Sequence, residues 1–490
     1  MRAFKRWMKA NAIECSDALE LIDSEDEGTS VKSKCELREG DLVATIPKQA
    51  CLTVKTSSAR EMIEAAGLDS YLGLSVAIMF ERSLGPLSRW AGYLQLLPDS
   101  ECLPLVWTLD EIDSFLLGTE LHRTVKEDKA LIREDWKEYI LPLVSSLLIK
   151  LDPKFFGVEE YFAAKSLVAS RSFEIDDYHG CGMVPLADLL NRDVHFTFAS
   201  SAGESEDDLE NTTNCGDGEL QTESSFFTMI DPYLFVIGKT SLDRADFGYP
   251  QDVKENSTVL EMIIVKDVKA GVEVFNTYGS MGNAALLHRY GFTEIDNPYD
   301  IVNIDLDLVV QWSSATFSGR FTRSKLSLWR RLSYAGCVSQ NSEYFEISFD
   351  GEPQIELLIL LHIISLTEDA YTELNLAVSV AENSKESLIY NSLKKSKISW
   401  GTVSKSSNGM LLSKGVRRAL LSLADMRESL YGLRSLDDDI EKLRNSCCIR
   451  ERKLYHSLTL RVSERRILNR LRTWSAGIAR RVAFSKKLKR

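Results

Sequence analysis

The chain of 490 residues lacks the cysteine pattern of a secreted or zinc-binding protein. Its nine cysteines are odd in number, form no CxxC pair and follow no regular spacing. They therefore predict reduced thiols in a cytosolic or nuclear protein. The six histidines show no metal-ligand spacing, so we expect no bound metal.

Long apolar runs are also missing. The apolar run at residues 355–366 is too short to cross a bilayer and contains Glu356 and His362. The first residues lack the continuous apolar stretch of a secretion signal. Residues 4–13 already have the pattern of a first helix, which leaves no room for a transit peptide. We expect a protein of the nucleus or cytoplasm with no membrane partner.

Positive charge is not in surplus, because 59 Lys and Arg face 72 Asp and Glu for a net charge of −13. This argues against nucleic acid as a partner, since phosphate binding requires a basic face.

Residues 200–225 are acidic without a basic residue and predict a mobile solvated loop, or alternatively a docking site for basic tails. Residues 461–490 are basic, with Glu464 as their one acid, and predict a solvated face. Nuclear targeting or contact with an anionic surface are the alternatives.

Helix and strand patterns alternate along the rest of the chain. A capping box at Thr108 and Glu111 marks one helix start, and Ser435 marks another. The predicted strands are 42–46, 226–230, 234–237 and 259–265. The predicted helices are a short one near Trp7, then 70–84, about 120–148, 355–380, 416–431, 435–446 and 453–472.

Residues 273–292 join a short apolar strand to a helix. The strand pattern breaks at Tyr278-Gly279, and the helix pattern ends at Tyr290-Gly291. Glycine permits a left-handed turn or a close backbone approach. Each Tyr-Gly pair therefore indicates an aromatic hydroxyl aimed at a target; the alternative is an ordinary strand-turn-helix with core tyrosines.

Two segments upstream give this stretch its context. They are Ser170-Arg171-Ser172-Phe173 and, at residues 184–191, Val-Pro-Leu-Ala-Asp-Leu-Leu-Asn. With Phe-Asn-Thr-Tyr-Gly and Leu-Leu-His-Arg-Tyr-Gly-Phe following in order, the chain resembles the SET-domain protein methyltransferases of the Rubisco large-subunit methyltransferase-like class. The residues of the last two segments are most similar to those of the branch that contains ribosomal lysine methyltransferase four and SET-domain-containing protein six.

The resemblance implies an α+β fold: a β-rich SET core with an inserted helical subdomain, followed by a C-terminal all-α domain. The implied boundaries are 1–58 for the first part of the core, 59–165 for the insertion, 166–300 for the second part of the core and 301–490 for a helical substrate-binding-like domain. The acidic loop 200–225 lies within the second part, and the basic tail ends the helical domain.

The resemblance also implies methyl transfer from S-adenosylmethionine to a lysine side chain of a protein substrate. The attacking amine must be neutral, although lysine normally titrates near pH ~10.4. Desolvation and the nearby sulfonium charge lower that pKa, and the remaining requirement is an in-line arrangement in a dry channel. The sequence shows neither a Ser-His-Asp catalytic triad nor a group of metal ligands, and this reaction requires neither.

The resemblance assigns a role to each motif residue. Tyr278 is the expected catalytic residue, because its hydroxyl would orient the transfer and stabilise developing positive charge. Tyr290 would line the lysine channel and Phe292 would pack near the cofactor. Arg171 would pair with the cofactor carboxylate or, alternatively, form a structural salt bridge. Phe173 would belong to the core or wall the channel.

The remaining cofactor contacts fall on two segments that depart from the pattern of the class. Its GxG loop corresponds to Glu27, Gly28, Thr29 and Ser30, where serine replaces the second glycine and would be strained by a positive φ. Asn191 is followed by Arg192 where the class has histidine, and Asp188 lies on the same face as Asn191 if the segment is helical. Asp188 is expected to bind substrate; Asn191 and Arg192 are expected to bind cofactor.

These departures keep two alternatives open. One is a catalytically inactive SET-fold module that binds a partner through the same groove. The other is a protein-histidine methyltransferase, because a relative in the class methylates histidine.

Overall fold

The computed structural model describes residues 1–24, 28–145, 151–190, 236–237, 258–274, 276, 278–317, 319–331, 344–383 and 413–487. The chain divides into two compact units. The first contains Met1–Asp99 and Leu143–Ser280, and the second contains Ser100–Pro142 and Met281–Arg490. Helices combined with small antiparallel sheets confirm the α+β class, whereas the four predicted segment boundaries stay a prediction.

The strands are short and pair only with antiparallel neighbours in the described residues. They are β1 Glu14–Cys15, β2 Leu19–Ser24, β3 Gly28–Ser33, β4 Leu42–Pro47, β5 Leu52–Thr53, β6 Ser172–Asp176, β7 Gly180–Met183, β8 Val236–Ile237, β9 Val259–Ile263, β10 Val302–Asp305 and β11 Tyr344–Ile347. The sheet orders are β1-β4-β9-β8, β2-β3, β5-β7-β6 and β10-β11. The predicted strands 42–46 and 259–265 thus pair with each other as β4 and β9.

The α-helices are α1 Arg2–Ala10, α2 Arg60–Ala65, α3 Ser70–Leu84, α4 Ala91–Leu94, α5 Leu109–Phe115, α6 Leu121–Asp135, α7 Leu141–Ser145, α8 Val158–Arg171, α9 Asn283–Tyr290, α10 Leu306–Thr316, α11 Gly319–Arg331, α12 Ile355–Ile364, α13 Glu368–Asn383, α14 Lys414–Ser429, α15 Leu436–Asn445 and α16 Arg452–Lys487. A π-helix, Trp136–Ile140, joins α6 to α7. Short 3-10 turns cover Lys48–Ala50, Gly85–Leu87, Pro104–Val106, Pro153–Phe155 and Ala187–Leu190.

Local sequence signals locate several helices closely. Helix α3 has the predicted bounds, and the capping boxes at Thr108 and Ser435 both form. In the first unit, α1 is held by a cluster of three aromatic rings: the ring centroids of Phe4 and Tyr93 each lie 6.0 Å from that of Trp7 and 6.4 Å from each other. In the second unit, α12 is apolar except for Glu356 and His362 and lies in the core beside Trp312 and Trp329.

The predicted helix 355–380 was wrong, because the chain folds there as two helices. Helix α12 ends at Ile364, where the Lys325 ammonium donates to the carbonyl oxygens of Ile364 and Leu366, each at 2.7 Å. The next helix begins after Thr367, whose Oγ1 accepts the Ala370 N–H at 3.4 Å. A distant lysine that occupies the last carbonyls ends α12, and this partner has no local sequence signal.

The prediction that residues 301–490 are all helical was also wrong. Strands β10 and β11 form an antiparallel pair, with Val302 opposite Ile347 and Ile304 opposite Phe345. These four side chains are buried, while their neighbours along each strand are more exposed. A period of two over four residues is too short to be distinguished from a helix pattern.

The basic tail is not a solvated face throughout its length. Arg461 and Arg465 lie on α16 with only 5% and 4% of their surface exposed. Both guanidinium groups donate to the buried Asp439 carboxylate, Arg461 at 3.1 Å and Arg465 at 2.6 Å. A buried carboxylate on α15 therefore draws this part of the charge run into the second unit. No described helix is both long and apolar enough to cross a membrane.

In the second unit, the buried carboxylate of Glu464 and the partly buried carboxylate of Glu120 lie near one guanidinium. Glu464 accepts hydrogen bonds from the Tyr431 hydroxyl and, at 3.2 Å, from the Glu120 N–H. The Arg427 guanidinium lies 3.5 Å from Glu464. Burial, reinforced by the Glu464 charge, raises the pKa of Glu120 to about 8, and burial raises the pKa of Glu464 to about 7 despite Arg427.

The raised pKa values predict that stability falls as pH rises from about 5 to 8. Over this range the folded chain retains protons that unfolded carboxyl groups, with pKa values near ~4.3, have lost. Glu464→Gln is expected to flatten this dependence by on the order of 3 kcal/mol, measured as the unfolding free energy in urea at each pH. Glu441→Gln, at an exposed site on α15, is the control; equal pH slopes for both variants would contradict the interpretation.

Candidate functional site

In the first unit, two motif segments contact each other at Asn276, which makes one backbone and one side-chain hydrogen bond to the turn 187–190. The Asn276 N–H donates to the carbonyl of Leu190 at 3.1 Å, and its side-chain amide lies 3.4 Å from the carbonyl of Ala187. On the preceding side, the Val274 N–H donates to Val31 on β3 at 2.8 Å. The described residues that lead to Tyr278 are therefore held by hydrogen bonds to β3 and to the turn 187–190.

Asp188 lies at the centre of that turn and is fully buried. Its Oδ2 accepts a hydrogen bond from the Tyr93 hydroxyl at 2.7 Å and lies 3.7 Å from Nη1 of Arg171. The same Nη1 donates to the Asp188 carbonyl at 3.0 Å. Burial, then the charge of Asp188 and its hydrogen bond, raises the pKa of Tyr93 well above its usual value, so the hydroxyl stays a donor.

The residue two places before Asp188 has an unusual backbone. Leu186 has φ +77° and is completely buried. A left-handed conformation at a non-glycine residue costs about 1–3 kcal/mol and persists where the surroundings determine it. Hydrogen bonds from Asp188 N to Val184 O and from Leu189 N to Leu186 O, both 3.2 Å, close the turn around it. The fold thus holds this segment in one strained shape.

Tyr278 follows the contact at Asn276 and is half-buried. The next residue, Gly279, has φ +66°, and a Cβ there would meet nothing within 4 Å. Glycine is therefore required by the backbone angle rather than by crowding. The predicted left-handed turn after this tyrosine is confirmed.

Arg171 and Phe173 stand on either side of the junction between α8 and β6. Arg171 is the last residue of α8 and keeps 16% of its side chain exposed. Phe173 pairs with Gly182 across β6 and β7 and is 3% exposed, so it belongs to the core. The contacts of Arg171 with Asp188 are those of a structural ion pair; its role toward a cofactor stays a prediction.

The residues predicted as a cofactor loop lie in a β-hairpin. Gly28, Thr29 and Ser30 pair with Ser24, Asp23 and Ile22 across β2 and β3. Ser30 is 3% exposed and lies within the extended strand, and it is not among the described residues with a positive φ. The expected strain from serine is therefore absent at this position.

The second unit contains the other Tyr-Gly pair at the end of α9. Gly291 has φ +80°, and its N–H donates to the carbonyls of Leu286 and Leu287, each at 3.1 Å. A Cβ on Gly291 would lie 2.9 Å from the carbonyl oxygen of Cys102, so both the angle and the space require glycine. Both predicted uses of glycine are confirmed here.

Tyr290 and Phe292 flank this glycine, with their ring centroids 6.4 Å apart. Phe292 is 2% exposed, while Tyr290 is half-buried. Burial raises the pKa of the Tyr290 hydroxyl, although the charge of Arg289 lowers it. The tyrosine thus stays protonated at neutral pH and presents an O–H group.

The N-terminus of α9 is held by a closed polar network that the motif analysis missed. The Asn283 side-chain amide donates to Asp300 at 2.7 Å and to the Glu294 carbonyl at 2.8 Å, and its oxygen accepts the Glu294 N–H at 2.7 Å. The Ser463 hydroxyl also donates to Asp300. These bonds fix the loop that follows Phe292, so Asn283 acts as a structural residue.

Some predicted residues lie outside the described part of the chain: Glu27, Asn191, Arg192 and the acidic loop 200–225. Within the described ranges, no three His, Cys, Asp or Glu side chains group as a metal site requires.

Sequence reasoning also missed Tyr93 and Asn276. A buried tyrosine needs a hydrogen-bond partner, and a lone polar residue in an apolar strand is a signal, but neither identifies the partner.

Asp188→Asn is expected to destabilise the chain by about 3–5 kcal/mol, because it removes the buried counter-charge of Arg171. The measurement is the midpoint and slope of urea unfolding. Asp177→Asn is the matched control, since Asp177 is exposed in the same unit and should shift by less than about 0.5 kcal/mol. Equal stability of the two variants would show that the buried pair does not hold the turn.

Comparison with known proteins gives relatives that are named as lysine methyltransferases, although no family model matches the chain. The N-lysine methyltransferase setd6 of Salmo salar is 27% identical over 314 residues, which is 60% of this chain and 57% of the relative. Human SETD6 is 24% identical over 388 residues, 76% of this chain and 72% of the relative. Ribosomal lysine N-methyltransferase 3 of Saccharomyces cerevisiae is 24% identical over 58% of this chain and 60% of its own length. The chain thus spans less than two thirds of the salmon and yeast relatives.

Solved structures of Rubisco LSMT share the fold over nearly the whole chain. The complex with AdoMet matches with a TM-score of 0.61 at 17% identity, covering 97% of this chain and 91% of that one. The SET domain of LSMT bound to lysine and AdoHcy matches with a TM-score of 0.60 at 18% identity, covering 97% and 90%. The chain therefore has the SET-domain fold of Rubisco LSMT and is similar in sequence to the SETD6 lysine methyltransferases, which confirms the resemblance of its three motifs.

Proposed function

We propose that the chain is a protein-lysine N-methyltransferase that uses S-adenosylmethionine. The observation that carries this proposal is the contact between two motif segments, in which Asn276 binds the turn 187–190 and Tyr278 follows two residues later. The relatives named as N-lysine methyltransferases and the LSMT complexes with AdoMet or with lysine support the same reaction.

The residues of the first unit fit a methyl donor of this kind. Arg171 is a partly exposed cation, suited to a carboxylate, and the backbone of Gly28 and Thr29 lies in an unstrained strand. Glu27, Asn191 and Arg192 complete the binding set proposed in this unit. S-adenosylmethionine would supply the activated methyl group.

Tyr278 is the proposed catalytic residue. Its hydroxyl would accept a hydrogen bond from the attacking amine and stabilise positive charge as that charge develops. The contact at Asn276 and the left-handed turn at Gly279 limit the backbone on both sides of Tyr278. A tyrosine held in this way acts by orientation rather than by proton transfer.

Tyr290 is the proposed wall of the lysine channel. An aromatic side chain that is half-buried removes water from an aliphatic amine without offering it a charge, so the amine loses its proton more easily. Phe173 lies in the core and supports β6. We assign Asp188 a positioning role through Arg171 rather than direct contact with substrate, because its carboxylate is fully buried.

The proposed partner is a protein with an accessible lysine, acting in the nucleus or cytoplasm. The net charge of −13 suits a basic partner, and we propose no metal ion, membrane or nucleic acid as a partner. The proposed segment order is the SET core at 1–58 and 166–300, the helical insertion at 59–165 and the substrate-binding-like domain at 301–490.

Tyr278→Phe is expected to reduce turnover by about 100-fold or more, because removing one positioned polar group from a reacting centre has effects of this size. Turnover is measured as transfer of a labelled methyl group from S-adenosylmethionine to a degenerate peptide pool with one central lysine. Tyr178→Phe is the matched control, since Tyr178 is 57% exposed. An unchanged rate in Tyr278→Phe would remove the catalytic assignment.

A second pool with a central histidine in place of lysine identifies the acceptor atom. Lysine methylation alone supports the proposal, and methylation of the histidine pool alone would replace it with a histidine methyltransferase. If the wild-type chain binds S-adenosylmethionine but labels neither pool, the inactive binding module becomes the better explanation.

A further inference from the structure

Two adjacent cysteines precede α16, outside the residues proposed for methyl transfer. Cys447 is exposed and Cys448 is partly exposed, and neither forms a disulfide. The backbone N–H groups of Arg450 and then Ile449 lower the pKa of the Cys447 thiol. An exposed thiol with increased thiolate character is the form of cysteine that reacts with oxidants.

The second cysteine contacts a buried histidine. Cys448 Sγ lies 3.8 Å from Nε2 of His456, which is 2% exposed. On the other side of the ring, Nδ1 accepts the Thr293 N–H at 3.1 Å and lies 2.9 Å from the Thr293 hydroxyl oxygen. Because a backbone N–H can only donate, Nδ1 carries a lone pair, and the proton of the neutral ring is on Nε2, toward the sulfur.

The histidine thus connects a thiol pair to a particular point of the second unit. Thr293 directly follows Phe292 and lies next to Glu294, which the Asn283 network holds. The contact crosses 163 residues of sequence between Thr293 and His456. Cys448, His456 and Thr293 therefore form a continuous series of contacts that reaches the segment after the second Tyr-Gly pair.

We propose that Cys447 and Cys448 form a peroxide-sensitive dithiol whose oxidation to a disulfide is transmitted through His456 to Thr293. The Cys447 thiolate attacks hydrogen peroxide; an S–O bond forms, the O–O bond breaks, and sulfenic acid and hydroxide result. The Cys448 thiol then attacks the sulfenic sulfur, the S–S bond forms, and water leaves with the thiol proton. In sum, two thiols and one peroxide give one disulfide and two waters, so sulfur supplies both electrons.

Reduction should reverse this step easily. Adjacent Cα atoms lie about 3.8 Å apart, whereas most disulfides join Cα atoms about 4.4–6.8 Å apart. A disulfide between neighbours is therefore strained and more readily reduced. Forming it draws the Cys448 sulfur toward Cys447 and away from Nε2 of His456. This proposal is independent of methyl transfer and requires no cofactor.

The chemical step is tested on the full-length reduced chain with hydrogen peroxide, followed by N-ethylmaleimide and trypsin. Arg444 and Arg450 flank both cysteines, so residues 445–450 leave as one peptide. We expect this peptide to lose two hydrogen atoms and to escape labelling, with dithiothreitol restoring both thiols. It should oxidise at least about ten times faster than the exposed thiol of Cys35. Equal rates, or peroxide products without the disulfide, would overturn the proposal.

The transmission step is tested by hydrogen exchange of a peptide that covers Thr293. Oxidation should accelerate exchange of the Thr293 amide in the wild-type chain, because its acceptor on His456 moves. Cys448→Ser is the matched variant: it cannot form the disulfide, so its exchange should not respond to the same peroxide dose. A disulfide that forms without faster exchange, or an equal response in Cys448→Ser, would overturn the link to Thr293.

Discussion

The buried carboxylate of Asp188 is the constraint on which the candidate site depends. It joins Tyr93, Arg171 and its own turn within the first unit, and the neighbouring carbonyls of Ala187 and Leu190 bind Asn276. Placing a charge where it is fully buried is favourable only when a cation and hydrogen bonds compensate it. This requirement fixes the end of α8 to the strained turn at Leu186, and that turn binds Asn276, two residues before Tyr278.

Local signals in the sequence account for much of this architecture. The bounds of α3, the capping box at Thr108 and the glycines after Tyr278 and Tyr290 were all predictable, because each depends on neighbouring residues. The motifs also predicted the SET fold, since three short patterns in a fixed order are specific where each alone is weak.

The features that the sequence did not predict depend on distant partners. The capture of carbonyls after α12 by Lys325 and the burial of Arg461 against Asp439 each join segments far apart in the chain. The pairing of β10 with β11 is similar, because four-residue strands have too little periodicity. For the site, Tyr93 belongs to none of the motifs, and only the fold identifies Asp188 as its partner.

A methyltransferase needs few acid–base groups. Its site residues mainly hold the reacting groups in the correct orientation. That description fits the described residues of the first unit: the hydrogen-bonded backbone at Asn276, the left-handed turn at Gly279 and a cation paired with a buried acid. Serine at position 30 is compatible with the hairpin, because this residue is buried and its backbone is extended.

The most direct measurement is calorimetric titration of the purified chain with S-adenosylmethionine, with S-adenosylhomocysteine as competitor. A chain that uses this cofactor should show saturable one-site binding, and a hundredfold excess over the dissociation constant should raise stability by about 2.7 kcal/mol. Competition by the homocysteine product and weaker binding in Arg171→Lys would agree with the proposed site. No heat of binding and no stabilisation at millimolar cofactor would contradict the methyltransferase proposal.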